Sequence, residues 1–529
     1  MDNLPLLDLL IIAIYLFAMV WVGYYFSRKN RNAEQFTKAS GKIPGWAVGL
    51  SIYATFLSSN TFLGVPGKAF GGNWNAFVFS LSMPFAAFLA SKYFVPFYRK
   101  SGEVSAYTHL EHRFGPWART YTVICFLLTQ LARMGSIFFG IALSLQALLG
   151  FSMSAIMIVM GICIIIYTVL GGMEAVIWTE VAQGIIKTLG AFLILYLITA
   201  EMPGGIGDII DIAQRDNKLS LGTLAPDFAV SGFWVVFFYG FFINLNNFGI
   251  DQNYVQRYHT AASARQASSS IWLCVFLYVP ASLLFFIIGT SLYAYYQQQP
   301  ELLDTVRLQA AAERLGTISP TEASHLAGTL QPADYGDKVL PYFMVTKVPT
   351  GLVGLIVSAI LSAAMSTISS GMNASATVFT VDIYKRYFRK HLDEKQQLFV
   401  LRFSTFVFGV LGLSTGIAMI GSKSLLDIWW ELSGIFAGGM LGLFLLGIIS
   451  NRTKNHEAFT ATVLGIIVII WMSLSHLLPP EYESLRNPLH KNMVIVVGTL
   501  TIFFAGLLFS RFRKKQVSER PQLAPMKKK

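Results

Sequence analysis

Oxygen-bearing side chains in this chain cluster where their neighbours are apolar. The stretch Ser51-Ile-Tyr-Ala-Thr-Phe-Leu-Ser-Ser-Asn-Thr-Phe-Leu-Gly-Val-Pro66 lies within an apolar run from Ile43 to Phe70. Hydroxyls at Ser51, Thr55, Ser58, Ser59 and Thr61, the Asn60 amide, and the breakers Gly64 and Pro66 free backbone carbonyls that a continuous helix would consume. Such groups need a partner other than lipid. One candidate is a neighbouring helix, because Ser and Thr bond back to their own backbone and line close helix contacts. The other is a dehydrated cation with its co-substrate, which interrupted helices at mid-membrane can hold. A second polar run, Ala363-Ala-Met-Ser-Thr-Ile-Ser-Ser-Gly371, places Ser366, Ser369 and Ser370 at i, i+3 and i+4, on one helix face. Hydroxyls and released carbonyls are hard ligands with little added charge, suited to a monovalent ion that must be released again.

Ionisable residues also fall at membrane depth. Arg133 sits midway along an apolar run at 118–148, about 22 Å of helix from either end at 1.5 Å per residue. Snorkelling to water is therefore difficult, and two uses remain: a bidentate partner for a substrate carboxylate, or a buried ion pair with Glu180 or Glu431. Lys187 follows Glu180 by two turns on the same face. A further polar break, Asn244-Leu-Asn-Asn-Phe-Gly-Ile-Asp-Gln252, offers Asn244 and Asn247 to a hydroxylated ligand with Phe248 as an apolar wall, or to interhelical hydrogen bonds.

These groups must be positioned by membrane helices. The 529 residues are 54% hydrophobic and 13% charged, too few charges to cover a soluble globule of this size. The expected fold is all-α and polytopic, with thirteen spans at about 5–26, 43–70, 74–98, 118–148, 152–170, 176–200, 229–256, 266–294, 349–384, 398–421, 425–450, 457–478 and 491–510. Basic residues concentrate in alternate loops, including Arg257 and Arg265, roughly twenty-five Lys and Arg against about ten on the acidic side. This predicts an external N-terminus, a cytoplasmic C-terminus with a basic tail, and a net charge of +12 that reflects topology and not nucleic acid binding. The external segment 295–347 is expected to hold a short surface helix opened by Ser319-Pro320-Thr321-Glu322. Cys125, Cys163 and Cys274 lie in apolar runs as small hydrophobes. With no His-Glu-x-x-His run and no phosphate-binding glycine loop, neither an enzyme nor an ATP-driven pump is expected, and no cofactor.

In order along the chain, these residues resemble the sodium/solute symporter family over roughly residues 5–510. The resemblance is most specific at Gly171-Gly-Met-Glu-Ala-Val-Ile-Trp-Thr-Glu-Val-Ala-Gln183, Asp251-Gln-x-x-Val-Gln-Arg257 and Ala363-Ala-Met-Ser-Thr-Ile-Ser-Ser370. It implies a leucine-transporter-type fold of two inverted five-helix repeats, 43–200 and 201–450, with broken first and sixth core helices. Residues 1–42 would be a peripheral span and loop, and 451–529 two peripheral spans and the tail. The resemblance also implies a main sodium site of the Ala54, Leu57 and Ala363 carbonyls with the Ser366 and Thr367 hydroxyls. Some relatives add a second sodium on an Asp at position 180 and the serines matching Ser366, Ser369 and Ser370. Here Glu180 stands at that position, and Lys187 is expected to lean back towards it and replace that ion, leaving one sodium per solute. The implied activity is sodium-driven uptake of a sugar or sugar acid at the plasma membrane. Ser58, Thr61 and Arg133 match positions that hold the sugar acid in the sialic acid branch, while Phe56, Ala76 and Ser80 depart from its Thr, Phe and Gln. A neutral sugar read by Asn244 and Asn247 is the alternative, and a transport-dead sensor a more distant one.

Overall fold

A hydrocarbon core about 30 Å thick needs roughly 20 apolar residues per crossing helix, and the apolar runs fold accordingly. The structure, a computed structural model, describes residues 5–28, 32–315, 320–420 and 425–512, with side chains at all of these but 147–149, 313–315, 320–321, 425–435 and 477. Ten helices among the described residues are long and apolar enough to cross, and Gly45–Phe56 with Asn60–Gly71 form an eleventh crossing bent by 57°. Met153–Ala200 has 48 residues, which as a straight rod would reach about 72 Å, more than twice the core thickness. It breaks at Gly172, whose φ of 56° and ψ of −158° lie outside the helical region. Any Cβ there would also meet the Phe36 ring at 2.8 Å. Dividing this helix and adding Leu425–Ile449 gives the thirteen crossings expected.

In chain order the elements that matter are α1 (Leu6–Ser27), α2 (Gly45–Phe56), α3 (Asn60–Gly71), α4 (Trp74–Ser101), α5 (Pro116–Leu149), α6 (Met153–Ala200), α7 (Phe233–Ile250), α8 (Gln252–Thr260), α9 (Ala264–Gln298) and α10 (Leu352–Phe388). The pairs α2/α3 and α7/α8 are the two broken crossings. Between α7 and α8 Asp251 is extended (φ −72°, ψ 120°), and its carboxylate caps α8 by accepting from the Asn253 N–H at 2.8 Å. The acidic loops meet at one end of the bundle, where Tyr293 donates to Asp216 at 3.0 Å and Lys347 pairs with Glu201 at 3.2 Å. At the other end Lys38 donates to the Gly102 carbonyl at 3.3 Å, and Arg386 pairs with Glu111.

Segment 295–347 is richer than the single surface helix expected. It holds Pro300–Leu315, Pro320–Thr329 and Pro332–Lys347, while Ser319 of the anticipated capping box and the tail from residue 513 lie outside the described residues. Pro332–Lys347 packs on α3 backbone to backbone: a Cβ on Gly336 would meet the Gly67 carbonyl oxygen at 2.6 Å, and one on Gly67 the Gly336 carbonyl carbon at 2.8 Å. Lys218, in the acidic loop, donates to the Phe70 carbonyl at 2.7 Å and so holds the C-terminal end of α3. Burial pushes its ammonium down to about 8.

Asp8, in the first turn of α1, is buried and accepts from the Gly351 and Gly354 N–H groups at 2.9 and 2.6 Å. It thereby satisfies the first turn of α10, the helix that carries the serine run. Asp8→Ala should lower stability by about 1–2 kcal/mol, read as a lower thermal midpoint of the purified protein in detergent, with no change in its oligomeric profile.

Candidate solute and cation site

The break in the first bent crossing exposes backbone oxygens by a local rearrangement. Leu57 leaves the helical region (φ −83°, ψ 79°). The Ser58 N–H then donates to the Phe56 carbonyl at 3.0 Å, leaving Ala54 O, and the Thr61 N–H donates to Ser58 O at 3.0 Å, leaving Leu57 O. The small residues of α10 lie opposite. Ser366 donates to the Ala54 carbonyl at 3.0 Å, and Thr367 to the Thr55 carbonyl at 3.2 Å. The Ala363 carbonyl accepts from both hydroxyls at 3.3 Å. The five groups expected to form one cation site are thus brought together at the meeting of the two polar helices.

Lys187 is also there. Its Nζ donates to Ala54 O at 2.5 Å, to Leu57 O at 2.8 Å and to Ser366 Oγ at 3.0 Å, and the residue is fully buried. The expected lean towards Glu180 is not what the structure shows. Glu180 is instead held by Arg257, whose Nη2 lies 2.8 and 2.7 Å from the two carboxylate oxygens. The same guanidinium donates to Ser51 at 2.8 Å, Thr55 at 2.8 Å and Ser370 at 2.6 Å. Ser51 and Ser370 in turn donate to the carboxylate. Ser369 stands apart from this cluster, its hydroxyl turned back to the Ser366 carbonyl at 3.2 Å. The span read at 229–256 leaves Arg257 in the loop that follows. Its side chain is in fact 1% exposed, since α8 re-enters the bundle after the Asp251 break.

Beside the break is a cavity of about 110 Å³, lined by Ser58, Thr61, Ser80, Arg133 and Asn247 of the residues singled out in the sequence. Phe56, Ala76, Lys68, Phe79, Tyr278 and Ser282 also line it. Ser80 and Ser282 share a hydrogen bond of 2.7 Å, and Phe56 packs on Tyr278 with centroids 5.5 Å apart. Two expected wall residues lie elsewhere. The Asn244 amide turns to the Phe79 carbonyl and Ser82 at 3.4 Å, and Phe248 is buried behind Phe56 with centroids 5.2 Å apart. Tyr278 and Phe79 carried no signal, being aromatic residues in aromatic-rich apolar runs. Arg133 pairs with Asp251 at 3.9 Å and donates to the Thr55 carbonyl at 3.4 Å; of the two glutamates considered for it, Glu180 belongs to Arg257, and the Glu431 side chain lies outside the described ones.

Two broken crossings, oxygens converging at the first break, and a polar cavity beside it match known proteins in both sequence and shape. The model of the sodium:solute symporter family matches residues 36–465. The chain belongs to that family. It is a membrane transporter and not an enzyme, and the five-plus-five architecture with broken first and sixth core helices is the one it shares with its structural relatives. The sodium/sialic acid symporter NanT of Aliivibrio fischeri is 32% identical over 490 residues, covering 92% of this chain and 91% of that one. SiaT of Proteus mirabilis, another sodium/sialic acid symporter, is 32% identical and covers 93% and 92%. A solved Na+-coupled sialic acid symporter, substrate-bound and open outward, superposes with a TM-score of 0.83 at 28% identity, covering 96% of this chain and 98% of that one.

The Glu180–Arg257 pair is buried on all sides, so removing one partner strands the other charge. Glu180→Gln in this symporter should cost about 3–5 kcal/mol of stability and deplete folded protein in size-exclusion profiles. The Glu180→Gln/Arg257→Gln double variant should recover part of that loss, a coupling readable as a thermal double-mutant cycle.

Proposed function

We propose that this chain takes up a sugar acid of the sialic acid type by alternating access at the plasma membrane, with sodium, the coupling ion of its family, as the driving ion. The observation that carries this reading is the Arg133 guanidinium in the wall of the cavity beside Ser58 and Thr61, a cation placed to take a carboxylate next to hydroxyls placed to take its sugar. The neutral-sugar alternative loses Asn244 to helix packing. Phe56, Ala76 and Ser80, where the chain differs from the sialic acid branch, all line the cavity, which favours a sugar acid of related but altered outline. At about 110 Å³ the cavity is smaller than the roughly 300 Å³ at the lower end of ligand sites, so the solute is admitted through a wider conformation of the same walls.

The charge asymmetry of the loops supports an external N-terminus and a cytoplasmic C-terminus. The equivalent breaks at residues 57–59 and 251 support two inverted repeats at 43–200 and 201–450, flanked by 1–42 and 451–529. The Glu180 carboxylate, engaged by Arg257, favours one sodium per solute over two.

Uptake of radiolabelled sialic acid into proteoliposomes should rise when sodium is added outside, and Arg133→Gln should reduce it by about a hundredfold while the protein stays folded, as for the loss of a charge-assisted bidentate contact. The free acid should outcompete its methyl ester; equal competition would transfer the reading to a neutral sugar.

A further inference from the structure

The oxygens freed by the α2/α3 break form a cation site by their chemistry alone, and a cation of the chain itself stands in it. Two of the acceptors around Lys187 Nζ are carbonyls, which cannot donate. The third, Ser366 Oγ, spends its proton on a carbonyl, Ala54 O at 3.0 Å being one, so it offers Lys187 only lone pairs. Three acceptors at 2.5, 2.8 and 3.0 Å match the three N–H bonds of an ammonium group. The side chain thereby joins α6 to the open end of α2 and to α10, the bridge that a bound ion would make. Local charge does not favour a second cation. Glu180, two turns back along α6, is paired with Arg257, and Asp251, at the other break, with Arg133.

We propose that the Lys187 ammonium is the resident cation of the main site, and that a sodium ion and this ammonium are mutually exclusive occupants of the Ala54, Leu57 and Ser366 oxygens. Two unit charges at contact distance in a poorly screened interior repel strongly. A sodium ion sharing these three oxygens would also lie directly against the nitrogen they already surround. Sodium therefore reaches these oxygens only when the Lys187 side chain withdraws, and Lys187 sets how much sodium the site demands. The proposal rests on the reading above only for naming sodium as the competing ion.

The experiment needs no solute. The thermal midpoint of the purified full chain in detergent is titrated with sodium chloride, with choline chloride as the ionic-strength control, since an ion that binds the folded state stabilises it by mass action. In Lys187→Met the sodium-specific rise should reach half its extent at about a tenfold lower sodium concentration than in the wild type. Adding Ser366→Ala should abolish that gain. Lys187→Gln, which keeps the length and two N–H donors but not the charge, should move the midpoint in the same direction and is the variant to read if Lys187→Met does not fold. Equal sodium midpoints in the wild type and the neutral variants would overturn the proposal, as would a gain that survives Ser366→Ala. Because no transport is measured, a failure to take up sialic acid would leave this result standing, and the reverse also holds.

Discussion

Backbone carbonyls without helical partners are expensive inside a membrane, and the Ala54 and Leu57 carbonyls are the two around which the rest of this structure is arranged. They exist because Leu57 leaves the helix, and they are tolerable because Lys187 and Ser366 meet them. That requirement explains why α10 is built from small hydroxylated residues at this depth, why α6 carries a lysine where the bilayer would reject one, and why both helices must lie against the same three-residue interruption.

A second polar cluster, two turns away along α6, follows the same logic. A carboxylate, a guanidinium and three hydroxyls, all but invisible to solvent, satisfy one another between α2, α6, α8 and α10. Neither ion is affordable alone at this depth, so together they fix the register of four helices. The oxygens around Lys187 and the ion pair therefore belong to one continuous polar seam, with the cavity lined by Ser58, Thr61 and Arg133 beside it.

Much of this was legible in advance because membrane burial makes polarity conspicuous. The hydroxyl run at 51–61 and the serines at 366–370 stood out against apolar flanks, and their meeting follows from there being few other places where each is satisfied. Where the chain's polarity was ordinary, the sequence misled. Arg257 lies in a stretch as polar as any loop, and only the turn at Asp251 carries it back among the helices. Lys187 was placed on the correct face, but helical spacing gives the direction of a stem and not which of two oxygen clusters its tip will reach. Asn244 and Asn247 are three residues apart on one helix, and one turns to helix packing while the other faces the cavity, a choice made by the neighbouring Phe79 and Ser82 and not by the asparagines.

The glycine contact between α3 and the helix Pro332–Lys347 has a bearing on the shape of the cavity. With Gly67 and Gly336 in backbone contact, the position of α3 is set by the helix Pro332–Lys347, and α3 carries Thr61, Val65 and Lys68 into the cavity wall. A methyl group added on either side of that contact would press these three side chains into the cavity. The width of the cavity is thus held by a segment that lines none of it, and the cavity's shape can drift through changes in segment 300–347 while every wall residue stays the same.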